Sequence, residues 1–280
     1  MGFFDLFRSS KGPRFAAEFT PQWRNYLNEK VQFYRSLRPD EKPRFEYRVL
    51  QFLNTTEITG IQTEVLDEDR LLIGASAIIP IFAFPKWEYF NLKEVLLYPS
   101  HFDFEHNIGQ RVEDVAILGM VGYGYMEGKM ILSRNALHLG YDNEEDKRNT
   151  AIHEFVHLID KADGRIDGIP ERLMHRENVI PWIHLIDEKI KEILDGDSDI
   201  NSYGATNRSE FMAVISEYFF ERPKLLERNH PELYQILEDI FAHELADRKL
   251  VEKMKPVRHF EPCPCGSGEK FRDCCMVQRQ

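Results

Sequence analysis

The stretch AIHEFVHLID, residues 151–160, places His153 and His157 four positions apart, with Glu154 directly after the first. On a helix this spacing stacks the two imidazoles on one face, where both can reach a single metal ion. Glu154, on the adjoining flank, can then reach a water bound to that ion. Zinc suits such a set, because it accepts imidazole nitrogens in a tetrahedral shell and lowers its water's pKa towards about 7 when one position stays open. Glu154 could take that proton and return it to a leaving amine. The competing reading is a solvent-facing helix that happens to carry two histidines. Ala151, Ile152, Phe155, Val156, Leu158 and Ile159 argue against it: they make the helix apolar on nearly every side, and polar groups in such a setting need a partner.

Two histidines need a third ligand, and the remaining histidines stand in no pattern that supplies one. SEFMAVISEYFF is more informative. Glu210 and Glu217 share one helical face with Ala213 and Val214, while Phe211, Ile215, Tyr218 and Phe219 fill most of the rest. A carboxylate buried on so apolar a helix must meet a cation or a strong donor. Either glutamate could complete a His₂Glu site. Glu210, in the first turn, could instead be exposed, and the residues alone leave the two tied.

A second constellation closes the chain. Cys263, Cys265, Cys274 and Cys275, the only cysteines of the sequence, are spaced C-x-C-x₈-C-C. Two pairs of close thiols can meet in a tetrahedral Zn–S₄ site, with Gly266 and Gly268 letting the chain turn tightly near the metal. So short a segment needs metal to supply its folding energy. A disulfide between adjacent Cys274 and Cys275 would be strained.

The elements that must position these groups follow from periodicity. Residues 21–54 carry apolar side chains at helical spacing, with prolines near the helix starts. ITGIQTEV (58–65) alternates like a strand, and DEDRLLIGASAIIPIFAF reads as an apolar helix with an acidic first turn. EVLLYPSHF (94–102) and GKMILSRNAL (128–137) read as strands; the second is either a core strand or a sheet edge to which an extended substrate could add. Asn143 is the expected N-cap of the His153 helix, which should run to about Ala162 and stop at ADG. Helices are then expected from about Pro181 to Leu194, over RSEFMAVISEYFFERP, and over roughly 231–250. The fold class is α+β: a helix-rich domain with a small sheet, plus a short C-terminal zinc-binding module. The expected boundaries are an N-terminal extension at 1–20, the main domain at 21–250 and the module at 256–280.

Charge and hydropathy exclude other classes. The longest apolar run, LLIGASAIIPIFAF, is too short for a membrane span and contains Pro80. The N-terminus lacks the basic start and cleavage site of a signal peptide, and Leu6 breaks the myristoylation pattern. With a body free of cysteine, a cytoplasmic location is expected. From Lys249 to Gln280 there are seven basic and four acidic residues, so that tail is +3, leaving −14 for the remainder of a chain whose total is −11. The total argues against direct nucleic-acid binding by the whole chain.

AIHEFVHLIDKADG together with SYGATNRSEFMAVISEYFFERP resembles the Mlc titration factor A family of zinc peptidases, and YGATNRSEF is also similar to the catalytic domain of anthrax lethal factor. The likeness extends over about residues 20–245 and implies that the domain at 21–250 is a zincin-like metallopeptidase domain. In those proteins the third zinc ligand is a glutamate seven residues after a tyrosine, which here is Glu210 counted from Tyr203. The resemblance therefore implies zinc held by His153, His157 and Glu210, Glu154 as general base, and Tyr203 as a donor to the tetrahedral oxyanion. Glu217 and Asp160 then become candidates for orienting a ligand histidine, a cap or solvent role being the alternative for Asp160. It also implies a peptide or protein substrate, an aminopeptidase-type activity and, as a partner, a transcriptional regulator. PCPCGSGEKFRDCC resembles the SEC-C motif at the end of the SecA translocase, which implies a second, structural zinc and a docking role on protein or ribosome surfaces. The alternative reading is a non-catalytic zinc-containing interaction protein that binds a regulator or the translation or secretion machinery.

Overall fold

The computed structural model of the chain describes residues 16, 18–101, 118–122, 124–143, 146–243, 245 and 270. The chain divides into two compact units, Met1–Lys249 and Leu250–Gln280. The four cysteines, and nearly all of the 1–20 extension, lie outside the described residues.

Three helices open the first unit: α1 (Pro21–Lys30), α2 (Gln32–Ser36) and α3 (Lys42–Thr55). Thr20 caps α1 by accepting from the Trp23 amide, and prolines stand in the first turns of α1 and α3, where a missing N–H costs no helical bond. Strand β1 (Glu57–Gly60) follows and ends sooner than its alternation suggests; α4 (Asp67–Ile78) then leads to β2 (Glu94–Tyr98). Strands β3 (Gly119–Val121) and β4 (Lys129–Ser133) complete a four-stranded mixed sheet of order β1-β2-β4-β3. The first three strands in that order are parallel, and β3 runs antiparallel to β4. Along β2 and β4, Val95, Leu97, Met130 and Leu132 face the main core, while Leu96, Tyr98 and Ile131 form a small cluster on the other face.

GKMILSRNAL departs from its strand reading at Arg134. Ser133 accepts from the Ala136 amide and so caps α5 (Arg134–Asp142), turning the chain from strand to helix. β4 lies between β2 and β3, so it is a core strand; among the described residues the edge strands are β1 and β3.

Helix α6 (Thr150–Asp160) starts later than expected. Asn143 is the C-cap of α5, and Asn149 is the residue that caps α6, its side chain accepting from Ile152 N at 3.1 Å. Every residue from Ala151 to Asp160 is buried, against α4, α5 and α8 and beside β3 and β4. Phe155 fixes its depth through ring contacts with Phe52 and Tyr89 at 5.6 and 5.1 Å. A 3₁₀ turn, Lys161–Asp163, ends at Gly164 in the left-handed region.

Helix α7 (Arg176–Asp195) contains Pro181 rather than opening with it, giving up the one bond that the Pro181 nitrogen would have donated. α8 (Arg208–Glu221) is capped by Asn207, and α9 (Pro223–Asn229) and α10 (Pro231–Phe241) finish the unit. α10 stops at Phe241, short of 250, because Ala242 takes a left-handed conformation. Among the described residues, no helix is long and apolar enough to cross a membrane.

Candidate metal centre

The site is the contact between α6 and α8. His153 and His157 project from one face of α6, and Glu210 from the first turn of α8, where Asn207 Oδ1 accepts its amide at 3.0 Å. His153 Nε2 lies 3.0 Å from Glu210 Oε2 and 3.1 Å from His157 Nε2, and His157 Nε2 lies 3.5 Å from the same Glu210 oxygen. For a tetrahedral ion with ligands at roughly 2.0–2.1 Å, neighbouring donor atoms stand about 3.3 Å apart. The three separations bracket that value.

Proton placement favours a cation. His153 Nδ1 sits 2.7 Å from Glu217 Oε1, which assigns its proton to Nδ1 and turns the Nε2 lone pair towards Glu210. Lone pairs of an imidazole and a carboxylate facing each other at 3.0 Å need a proton or a metal between them. Burial opposes charge on His153, yet the carboxylates of Glu210 and Glu217 outweigh it and lift its pKa to about 10. Burial likewise works against the Glu210 charge, but its two histidine neighbours draw its pKa down to about 2. Among the described residues, His153, His157 and Glu210 are the group whose ligand atoms could hold a metal ion, all within 4.8 Å of one another.

The two glutamates of α8, indistinguishable by helical face, thus stand at opposite nitrogens of one imidazole. Glu217 is fixed in turn, since its Oε2 accepts the Asn149 amide at 2.5 Å. Asn149 also donates to Glu221 and to the Gly140 carbonyl. The residue that caps α6 therefore also locks the carboxylate that orients His153. The sequence reading missed Asn149; the signal available was an asparagine directly before an apolar helix, and Asn143 offered the same one.

Glu154 is buried against β3. A Cβ on Gly119 would fall 2.7 Å from both Cγ and Oε1 of Glu154, so only glycine lets the strand lie against this side chain. Burial, and then the nearby carboxylates against the opposing pull of the two histidines, hold the Glu154 pKa above the ordinary carboxylate value. Gly119 was invisible in sequence, one glycine in a stretch holding several. Gly119→Ala is expected to displace Glu154 and lower kcat/KM by about 10²-fold, the scale of a 1 Å misplacement, with bound metal unchanged. Steady-state kinetics beside a metal determination check this, and an unaltered kcat/KM would show that β3 does not set the position of Glu154.

Tyr203 stands on the 3₁₀ turn Ser202–Ala205, half-exposed, its ring 6.0 Å from that of His153. Burial and the neighbouring glutamates raise its pKa, so the phenol keeps its proton. The segment before it is pinned by Asp199, which accepts from Lys147, Tyr218, Asn229 and His230. Asp160 lies at the other end of α6. Its Oδ2 accepts the Gly168 amide at 2.8 Å, while its buried Oδ1 and the buried Nδ1 of His157 have no hydrogen-bond partner among the described residues. Gly168 (φ 81°) is held from its other side by Trp182 Nε1, and a Cβ there would meet the Arg208 carbonyl at 2.3 Å.

Residues 7–242 match the glucose-regulated metallo-peptidase M90 family. The chain belongs to this family. M90 membership implies a metal and a peptide or protein substrate, and the α6–α8 cluster is a possible place for that metal. An uncharacterized protein of Synechocystis sp. is 29% identical over 239 residues, covering 82% of this chain and 86% of its own length. The Mlc titration factor A of Escherichia fergusonii is 30% identical over 232 residues, covering 77% and 83%. That of Yersinia pestis is 27% identical over 235 residues, covering 78% and 83%. Residues 261–276 match the SEC-C motif.

Proposed function

We propose that this M90 chain is a zinc-dependent peptidase in which His153, His157 and Glu210 hold the ion. The observation that carries the reading is the convergence of their three donor atoms beside a buried Glu154. When bound, zinc supplies a Lewis acid that acidifies water and polarises the peptide carbonyl. Glu154 takes a proton from water as its oxygen adds to the carbonyl carbon, then delivers that proton to the nitrogen as the C–N bond breaks. Tyr203 keeps its phenolic proton and donates a hydrogen bond to the developing oxyanion. Glu217 holds His153 in one tautomer and one orientation.

The domain reading assigns this chemistry to residues 21–250. In the 256–280 module, Cys263, Cys265, Cys274 and Cys275 would hold a second, structural zinc and form an adaptor that docks on a protein or ribosome surface. An aminopeptidase preference, a cytoplasmic location and a link to a transcriptional regulator complete the proposal; the relatives named Mlc titration factor A support the last of these.

A peptide library incubated with the full chain tests the reading. Cleavage is expected, its loss on treatment with a zinc chelator, and its return on adding zinc. A zinc-replete chain that cleaves nothing would overturn it.

A further inference from the structure

A cavity of about 140 Å³ opens between α3, the end of α4 and the segment before β2. Phe52, Trp87 and Tyr89 form its apolar walls, with Gln51, Glu88 and Phe90 also lining it. A cavity of this size admits one aromatic ring or a short aliphatic chain.

Two polar groups in it are incompletely used. Arg48 is 5% exposed and forms no ion pair among the described residues. Its Nη1 donates to the carbonyls of Ile81 and Phe82, and its Nη2 to that of Trp87 at 3.1 Å. These bonds engage three of the five N–H groups of the guanidinium. A guanidinium this deep without a carboxylate is rare, because three carbonyls satisfy hydrogen bonds without neutralising the charge. Trp87, whose carbonyl accepts from Arg48, carries a buried indole N–H with no acceptor among the described residues. The acid whose charge acts on Arg48, Glu88, is exposed and bonded to Gln51 at 3.2 Å. A positive charge and an orphan donor beside aromatic walls ask for one anionic acceptor carried on an apolar body.

We propose that this cavity binds a small apolar carboxylate, its body against Phe52, Trp87 and Tyr89 and its carboxylate on Arg48 and the Trp87 indole N–H. The same chemistry occurs in a free organic acid and in the C-terminus of a peptide that ends in an apolar residue. The site is separate from the metal centre, and the proposal does not depend on peptidase activity.

Calorimetry and thermal unfolding of the full chain, with phenylacetate, phenylacetamide and N-acetyl-alanyl-phenylalanine as probes, test it. Saturable binding of phenylacetate is expected, with the amide weaker by about tenfold or more, the loss for one hydrogen bond to a charged group. Trp87→Phe, which keeps the wall but removes the N–H, should weaken phenylacetate by a similar factor. Because Arg48 ties three carbonyls and its variants can fail to fold, Trp87→Phe is the deciding variant. Binding of the peptide acid, lost in that variant, would assign the site to peptide termini; binding of phenylacetate alone would assign it to free acids. Equal binding of acid and amide, no saturable binding of any probe, or unchanged phenylacetate binding by Trp87→Phe would overturn the proposal.

Discussion

Replacing Glu154 with glutamine is expected to lower the rate of peptide hydrolysis about 10³-fold, within the range for loss of one general acid–base group, while leaving metal content intact. The two side chains have the same shape, so the glutamine fits the space that Gly119 leaves. What is lost is the ability to take up a proton. Burial raises the Glu154 pKa above that of an ordinary carboxylate, which makes its ionised form a better base and enlarges the expected loss. The variant should be compared with the parent chain on one cleaved peptide, with zinc measured in both. Hydrolysis near the parent rate would remove Glu154 from the mechanism.

The second large effect is on metal content. Elemental analysis of the full chain should find about two zinc ions per molecule, falling to about one when His153 and His157 are both replaced by alanine. The ion that stays is the one proposed for the cysteine module. One ion in both proteins would mean that the α6–α8 cluster holds none, and the peptidase reading would give way to that of an interaction protein. Glu217→Gln offers a graded version. It removes the charge behind His153 without touching a donor atom, and should weaken zinc by about 10–100-fold.

The broad plan of the fold was legible because its helices and strands advertise themselves by period. Helix α6 stood out, since His153, Glu154 and His157 interrupt an otherwise apolar surface. The boundaries were harder. Asn143 and Asn149 are the same residue type ahead of the same helix, and local preference cannot choose between them. What chooses is distant: Glu217 accepts the Asn149 amide, and the backbone at Gly140 presses against Asn149. Pro181 misled because a proline within a helix reads as its start. Glu210 and Glu217 could not be separated by helical face, and only likeness to a family preferred one of them. Their different stations around His153 arise from the way α8 packs on α6, with Glu210 in its first turn at Nε2 and Glu217 two turns on at Nδ1, a docking that no periodicity in either helix encodes. Gly119 matters for what it lacks, and a missing methyl group becomes informative only once its neighbour is known.

The candidate ligands also define a circuit in the chain. His153 and Glu210 are 57 positions apart, and the segment between them includes the irregular stretch around Gly168 and the turn that bears Tyr203. An ion shared by the two ends acts as a removable cross-link, withdrawing conformational freedom from everything it encloses. The two halves of the domain should therefore differ in how they respond to metal. Helices α3 and α4 lie outside the circuit and are held by packing and by their own polar contacts, Arg48 to the Ile81 carbonyl and Asp69 to Arg134 among them, whereas the enclosed loops depend on closure at the site. Stripping the ion should quicken amide exchange around residues 164–175 and 197–207 first, while α3 and α4 keep their protection.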